Sequence, residues 1–142
     1  PMPADVLRQI NQLMGRYDVC LLQSEESLTA ALEELDRICT QELPRMRAPD
    51  FHYLFKYNEA VGIAFLTRLF LESSLARRES RGSHYRVDFP KRDEAYLGWF
   101  VHTKGENDEL RTDFFPVPVD QYPNPVDRFY TDCFRFHTDE GV

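Results

Sequence analysis

Three helical stripes, set apart by caps and prolines and followed by a stretch in which no helical period survives, constrain the fold of this chain more than any other feature. The first stripe opens at Pro3, a residue suited to an opening helical position, and runs through Val6, Leu7, Ile10, Leu13 and Met14 to Gly15. Ser24 caps the second, with Glu25 and Glu26 at the positive end of the helix dipole and an apolar stripe of Leu28, Ala31, Leu32, Leu35, Ile38, Cys39 and Leu43. Pro44 and Pro49 bracket a turn, and Asp50 caps a third helix expected to run through "FHYLFKYNEAVGIAFLTRLFLESSLARRES" as far as Ser80. That segment is apolar over more than half its girth between Val61 and Leu71, which predicts the central member of the bundle. Short connections place the three helices up, down and up.

After Ser80 the texture changes, and prolines recur at Pro90, Pro116, Pro118, Pro123 and Pro125. The segments "YLGWFVHT" and "ELRTDFFPVPV", rich in aromatic and β-branched residues, predict two short strands joined by the turn "KGEND". Beyond Asp120 the tail is aromatic but irregular, and Phe129, Tyr130, Phe134 and Phe136 are expected to lie against a surface. The expected fold is therefore mainly α. Residues 1–80 form a three-helix up-down-up bundle of the spectrin-repeat kind. Residues 81–142 form an extended arginine-rich loop, a small β-hairpin and an irregular tail packed on it, one domain overall. A chain of 142 residues with 42% hydrophobic content is large enough to build such a core.

Charge and cysteine usage narrow the partners. With 17 basic against 24 acidic residues the net charge is -7, which repels phosphate backbones and predicts no nucleic-acid partner. Cys20, Cys39 and Cys133 form no CxxC pair, so the reading is a reducing cytoplasm without a disulfide framework. No apolar run approaches the ~20 residues of a spanning helix, and no signal peptide is recognisable. The opening "PMPADV" starts on proline instead of an initiator methionine, as expected for a piece of a longer polypeptide or a processed chain.

The densest chemistry lies in "ARRESRGSHYRVDFPKRD", Ala76 to Asp93. In an extended segment residues two apart share a face, so His84, Arg86 and Asp88 align there. A histidine beside a carboxylate can act as a general acid, and arginines can clamp a small carboxylate. The competing reading has Glu79, Arg81, Arg86 and Asp88 satisfying one another in an ion-pair network that fastens the segment to the bundle. Elsewhere the signals are weak. Cys133 and His137 have a C-x3-H spacing with no second pair, so no metal is expected, and His52 and His102 stand alone. Ser73, Ser74, Ser80 and Ser83 fall in no GxSxG context. Gly15, Gly62, Gly82, Gly98, Gly105 and Gly141 are scattered, without the spacing that cradles a dinucleotide.

Arg77, Glu79, Ser80, Arg81, Gly82, His84, Arg86, Asp88 and Pro90, then Asp93 and Glu94, then Trp99, His102 and Thr103, follow a spaced pattern: R-x-E-S-R-G-x-H-x-R-x-D-x-P, an acidic pair, and N-W-x-x-H-T. In this the chain resembles the C-terminal helical domain of the flavoprotein subunits of succinate dehydrogenase and fumarate reductase, a family that also includes L-aspartate oxidase and the adenylylsulfate reductase alpha subunit. Gly98 stands where the pattern has Asn. The resemblance implies a larger FAD-dependent oxidoreductase that moves a hydride between FAD and a small acid and passes electrons to an iron–sulfur subunit. It places the flavin-binding and substrate-binding residues upstream. It gives this chain no catalytic, cofactor-binding or metal residue, and makes the arginine loop a structural or docking element that supports the flavin domain and subunit packing. Membrane association would come only through partner subunits. The alternative is a free-standing protein-interaction module that uses the arginine-rich loop or the aromatic tail.

Overall fold

The computed structural model describes residues 1–106, 109–118 and 121. Its helices are α1 (Pro3–Met14), α2 (Tyr17–Cys20), α3 (Glu25–Arg37) and α4 (Phe51–Ala76), and its strands β1 (Gly98–Lys104) and β2 (Leu110–Pro116). The fold is mainly helical, with a small two-stranded antiparallel sheet.

Local chemistry explains most of the boundaries. Pro3 sits in the first turn of α1, where its missing N–H costs no ladder bond. The Ser24 hydroxyl accepts from the Ser27 N–H at 3.1 Å while the Ser27 hydroxyl accepts from the Ser24 N–H at 3.0 Å, a reciprocal cap on α3 built from two serines. Asp50 Oδ1 accepts from the Tyr53 N–H at 2.9 Å and opens α4. The connection "RYDVCLLQ" between the first two stripes holds the single turn α2, which buries Val19 completely. The second stripe is not one continuous α-helix either. Past Arg37 it loosens into a π-helical turn, Ile38–Glu42, and then tightens into a 3-10 turn, Leu43–Arg45. The Thr40 hydroxyl donates to the Asp36 carbonyl at 2.7 Å and competes with the ladder there, while Pro44 cannot donate to it.

Helices α1, α3 and α4 pack pairwise. Val6, Ile10 and Leu13 of α1 meet Leu28, Ala31 and Leu35 of α3 and Ala60, Ala64 and Leu71 of α4 in a buried core. The inward residues of α4 are mostly small, Ala60, Ala64, Thr67 and Ser74 among them, which lets its neighbours approach closely. Leu71 is the large side chain buried among them, whereas Phe51, Phe55, Phe65 and Leu66 are exposed. The segment expected to be central is thus covered on one side only among the described residues.

The third helix ends at Ala76, four residues short of the expected Ser80. Arg77 turns to φ -83, ψ 102, and Glu79 is drawn into the interior between two arginines, so tertiary ion pairing outcompetes the local helical pattern. The loop that follows is pinned to the start of α3: the Gln23 N–H donates to the Tyr85 carbonyl at 3.1 Å and the Val87 N–H to the Gln23 carbonyl at 2.8 Å. Gly82, at φ +59, makes the tight turn that returns Arg81 to His84, which exchange N–H to carbonyl bonds of 2.8 and 3.0 Å.

The hairpin pairs Gly98 with Pro116, His102 with Thr112 and Lys104 with Leu110. Tyr96, expected in the first strand, lies instead in the 3-10 turn Glu94–Tyr96, whose start is capped by the Asp93 carboxylate accepting from the Ala95 N–H at 2.9 Å. Gly98 is dictated by packing. A Cβ there would collide with the Phe115 carbonyl oxygen and stand 2.6 Å from a ring carbon of Phe114. The expectations for Pro123, Pro125, Phe129, Tyr130, Cys133, Phe134, Phe136, His137 and Gly141 fall outside the described residues. Among the described residues no helix is long and apolar enough to cross a membrane.

Candidate functional site: the arginine loop

Two separate ion clusters organise the loop. In the first, the Glu79 side chain is 0% exposed and all its bonds come from within the chain. Arg77 Nη1 donates to Oε1 at 2.5 Å, Arg81 Nε to Oε1 at 2.9 Å, Arg81 Nη2 to Oε2 at 3.1 Å, and the Asp93 N–H to Oε2 at 2.8 Å. Burial alone would push this carboxyl up, but the bonds from Arg81, the Asp93 backbone and Arg77 outweigh it and hold the group below its ordinary value. Arg77 reaches onward to the hairpin, donating to the Tyr96 carbonyl at 2.8 Å and the Gly98 carbonyl at 3.0 Å, with its guanidinium 5.2 Å from the Phe100 ring centre. Arg81 also donates to the Asp93 carbonyl at 3.1 Å.

Arg86 anchors the second cluster and its side chain is likewise 0% exposed. It grips Asp88 with both arms of its fork, Nε to Oδ1 at 2.8 Å and Nη2 to Oδ2 at 2.7 Å. Nη1 points at the end of α4, 2.9 Å from the Ser74 carbonyl, 3.1 Å from that of Leu75 and 3.3 Å from that of Arg77. A cation against the last carbonyls is where the helix dipole favours it. Asp88 completes the tie by accepting from the Glu25 N–H, the first residue of α3, at 2.9 Å. The Arg86 bond holds the Asp88 carboxyl at about 2. One guanidinium–carboxylate pair thus links the C-terminus of α4 to the N-terminus of α3.

The remaining sequence candidates fall around these clusters. Ser80 accepts from the Arg86 N–H at 2.9 Å and donates to the Phe89 carbonyl at 2.8 Å, folding the loop over itself. His84 does not join Arg86 and Asp88 in a triad. Its Nε2 lies 3.2 Å from the Arg77 carbonyl, and burial pushes its pKa below the ordinary histidine value. Pro90 is exposed, and Asp93 is exposed although its backbone is tied to Glu79 and Arg81. Trp99 and Thr103 are on the outward side of β1, exposed.

His102, which stands alone in sequence, does not stand alone in space. Its Nε2 is 2.6 Å from the Ser73 hydroxyl on α4 and its Nδ1 is 2.9 Å from the Thr112 hydroxyl on β2. Sequence reasoning missed this bracket, as it missed Gln23 and the Glu25 backbone. The strand period that puts Gly98, Phe100 and His102 on one side was the available signal for His102. No local pattern marks Gln23.

Chemically, the two clusters hold Arg77, Arg81 and Arg86 in matched pairs with Glu79 and Asp88, while Arg78 and Lys91 of the same loop lie exposed. The N-termini of the two long capped helices are also occupied, by Ser24 and Asp88 at α3 and by Asp50 at α4. The starts of α3 and α4 are therefore not open to the pyrophosphate of a flavin dinucleotide, which needs free N–H groups at a glycine-rich helix start.

A small helical domain whose last long helix is joined to an antiparallel hairpin through a buried arginine loop is the class that this geometry defines. The family model described as fumarate reductase flavoprotein C-term matches residues 8–130, and the chain belongs to that family. Among curated relatives it is 31% identical over 94 residues to an uncharacterized FAD-dependent oxidoreductase of Methanocaldococcus jannaschii, covering 66% of this chain and 17% of that one. It is 31% identical over 122 residues to the fumarate reductase flavoprotein subunit of Mycobacterium tuberculosis, covering 82% of this chain and 20% of that one. Its fold matches a mutant FrdA chain of E. coli quinol fumarate reductase with a TM-score of 0.67 and 19% identity, over 85% of this chain and 22% of that one. The chain spans less than a quarter of the length of each.

Proposed function

We propose that this chain is the C-terminal helical domain of a larger FAD-dependent oxidoreductase of the fumarate reductase and succinate dehydrogenase flavoprotein kind, and that it braces the flavin domain instead of binding flavin or substrate. The observation that carries this reading is the complete burial of Glu79 and Arg86 with their charges matched inside the chain. A site for a dicarboxylate needs cationic groups that are open to the ligand, whereas here Arg77, Arg81 and Arg86 are engaged with glutamate, aspartate and backbone carbonyls. In the parent, FAD and the hydride chemistry on a small acid belong to the preceding part of the polypeptide, with an iron–sulfur subunit as electron partner. The up, down, up direction of α1, α3 and α4 and a cytoplasmic setting belong to the same reading.

Titration of the 142-residue chain with FAD is expected to leave the flavin spectrum unchanged. Stoichiometric binding with a shifted spectrum would overturn the brace. Succinate or fumarate at millimolar concentration is expected to leave the melting temperature in place, since only a ligand that prefers the folded state raises it.

A further inference from the structure

The outward side of α4 is built unlike a solvated helix surface. Phe51, Phe55, Val61, Phe65, Leu66 and Phe70 all lie exposed, Phe55 to 68% and Leu66 to 62%, while the opposite side buries Ala60, Ala64, Thr67 and Ser74. A helix that meets water on one side places charge there. This one buries Leu71 among small inward residues and still leaves those large aromatic and aliphatic side chains exposed on the other side.

Gly62 sits in the middle of that outward side. Nothing lies within 4 Å of where its Cβ would be, and its φ is not in the left-handed region. Glycine inside a helix weakens it relative to alanine, and among the described residues nothing demands the glycine. Flanked by Phe65 and Leu66 one turn on, its missing side chain forms a notch through which another backbone can approach closely. Ser73, seven residues beyond Leu66 and so on the same side, is already covered by His102 at 2.6 Å. This side of α4 is thus a packing surface that the hairpin covers at one end and leaves open from Phe51 to Phe70.

We propose that this open face, centred on Gly62, is the seat of the flavin domain in the parent polypeptide, an assignment that rests on the function proposed above. Relatives about four times as long, of which the matched stretches span 17% and 20%, give such a domain a permanent neighbour in the same polypeptide. Permanent interfaces are aromatic and poor in charge, as this face is. A second copy fits less well, because each carries a net charge of -7.

Gly62→Ala separates the two settings because its effect changes sign. In the 142-residue chain alone the urea midpoint is expected to rise. In the full-length flavoprotein chain the added methyl group enters the seat, and FAD retained after gel filtration is expected to fall several-fold. Leu66→Asp is expected to leave the isolated midpoint within error and to reduce FAD retention in the full-length chain by at least as much. If deleting this domain strips FAD while both variants retain it, the face is wrong and the bracing role stands. If deletion leaves FAD retention unchanged, the bracing role fails and the seat with it. Sedimentation of the isolated chain as a dimer that Leu66→Asp returns to monomer would assign the face to a second copy and overturn the proposal.

Discussion

Removing Arg86 tests whether the loop is held by its buried charge. Its guanidinium is 0% exposed, grips Asp88 at 2.8 and 2.7 Å and faces three carbonyls of the final turn of α4. Breaking a buried ion pair by deleting one partner costs about 3–5 kcal/mol. The lower end applies here, because the Asp88 side chain is 29% exposed and keeps its bond from the Glu25 N–H. Arg86→Ala should therefore cost about 3 kcal/mol, which lowers a urea midpoint by roughly 1.5–2 M for a slope of about 1.5–2 kcal/mol/M. Arg86→Lys keeps the charge but loses the planar fork, and should cost about half as much. Asp88→Asn keeps the shape and one acceptor, and should cost about 1–2 kcal/mol. Urea melts followed by circular dichroism would rank the three. An Arg86→Ala midpoint within about 0.5 kcal/mol of the parent chain, the range of an ordinary surface change, would refute the argument that this guanidinium is desolvated and structural.

Acid should destabilise the chain in two stages. His84 has its pKa lowered by burial, so the unfolded chain takes up the proton more readily and stability declines as the pH drops through the ordinary histidine value of 6.5. Asp88, held at about 2 by Arg86, and Glu79, held low by its arginines against the opposing pull of burial, contribute stability above their ordinary values of 3.8 and 4.5 that is lost as the pH falls through that range. Urea midpoints from pH 8 to 3 would show this, and a rise in stability between pH 6.5 and 5.5 that is absent in His84→Ala would contradict the first stage. Gly98→Ala should cost about 1–3 kcal/mol by overpacking against Phe115 and Phe114, measured as a drop in melting temperature. Ser73→Ala and His102→Ala, combined in a double-mutant cycle, should show a coupling of about 1 kcal/mol, and additive effects would mean that the bracket contributes nothing to stability.

The helix starts were legible because each is written in local chemistry: proline in a first turn, Ser24 with its reciprocal partner, Asp50 accepting from Tyr53. The helix ends were less so. Past Arg37 the apolar period continues in sequence to Leu43, but the backbone obeys Thr40 and Pro44. Past Ala76 nothing in "RRES" breaks a helix, but the burial of Glu79 turns the chain. The candidate loop was legible as a concentration of charge, and the partnering within it was not. Alternation in an extended segment pairs Arg86 with Asp88, which the structure does. The same rule would add His84, which the turn at Gly82 carries back to the Arg77 carbonyl. A single glycine at positive φ is enough to break an alignment inferred from strand spacing.

Gly98 shows why a departure from a family pattern is best read against its neighbours. The pattern's asparagine is excluded here by the Phe115 carbonyl and the Phe114 ring, so the local hairpin and the residue at position 98 must change together. The two sides of α4 extend that logic. Most inner side chains are small because α1 and α3 approach them, and Gly62 on the outer side has no such neighbour among the described residues. A helix of 26 residues that keeps its bulk outward and a glycine at the centre of that bulk is the shape expected of an element covered from both sides in the complete protein. The buried ion pairs at its end then fix the exit of α4 and the position of the hairpin beside it, so that the open face is presented as one rigid surface.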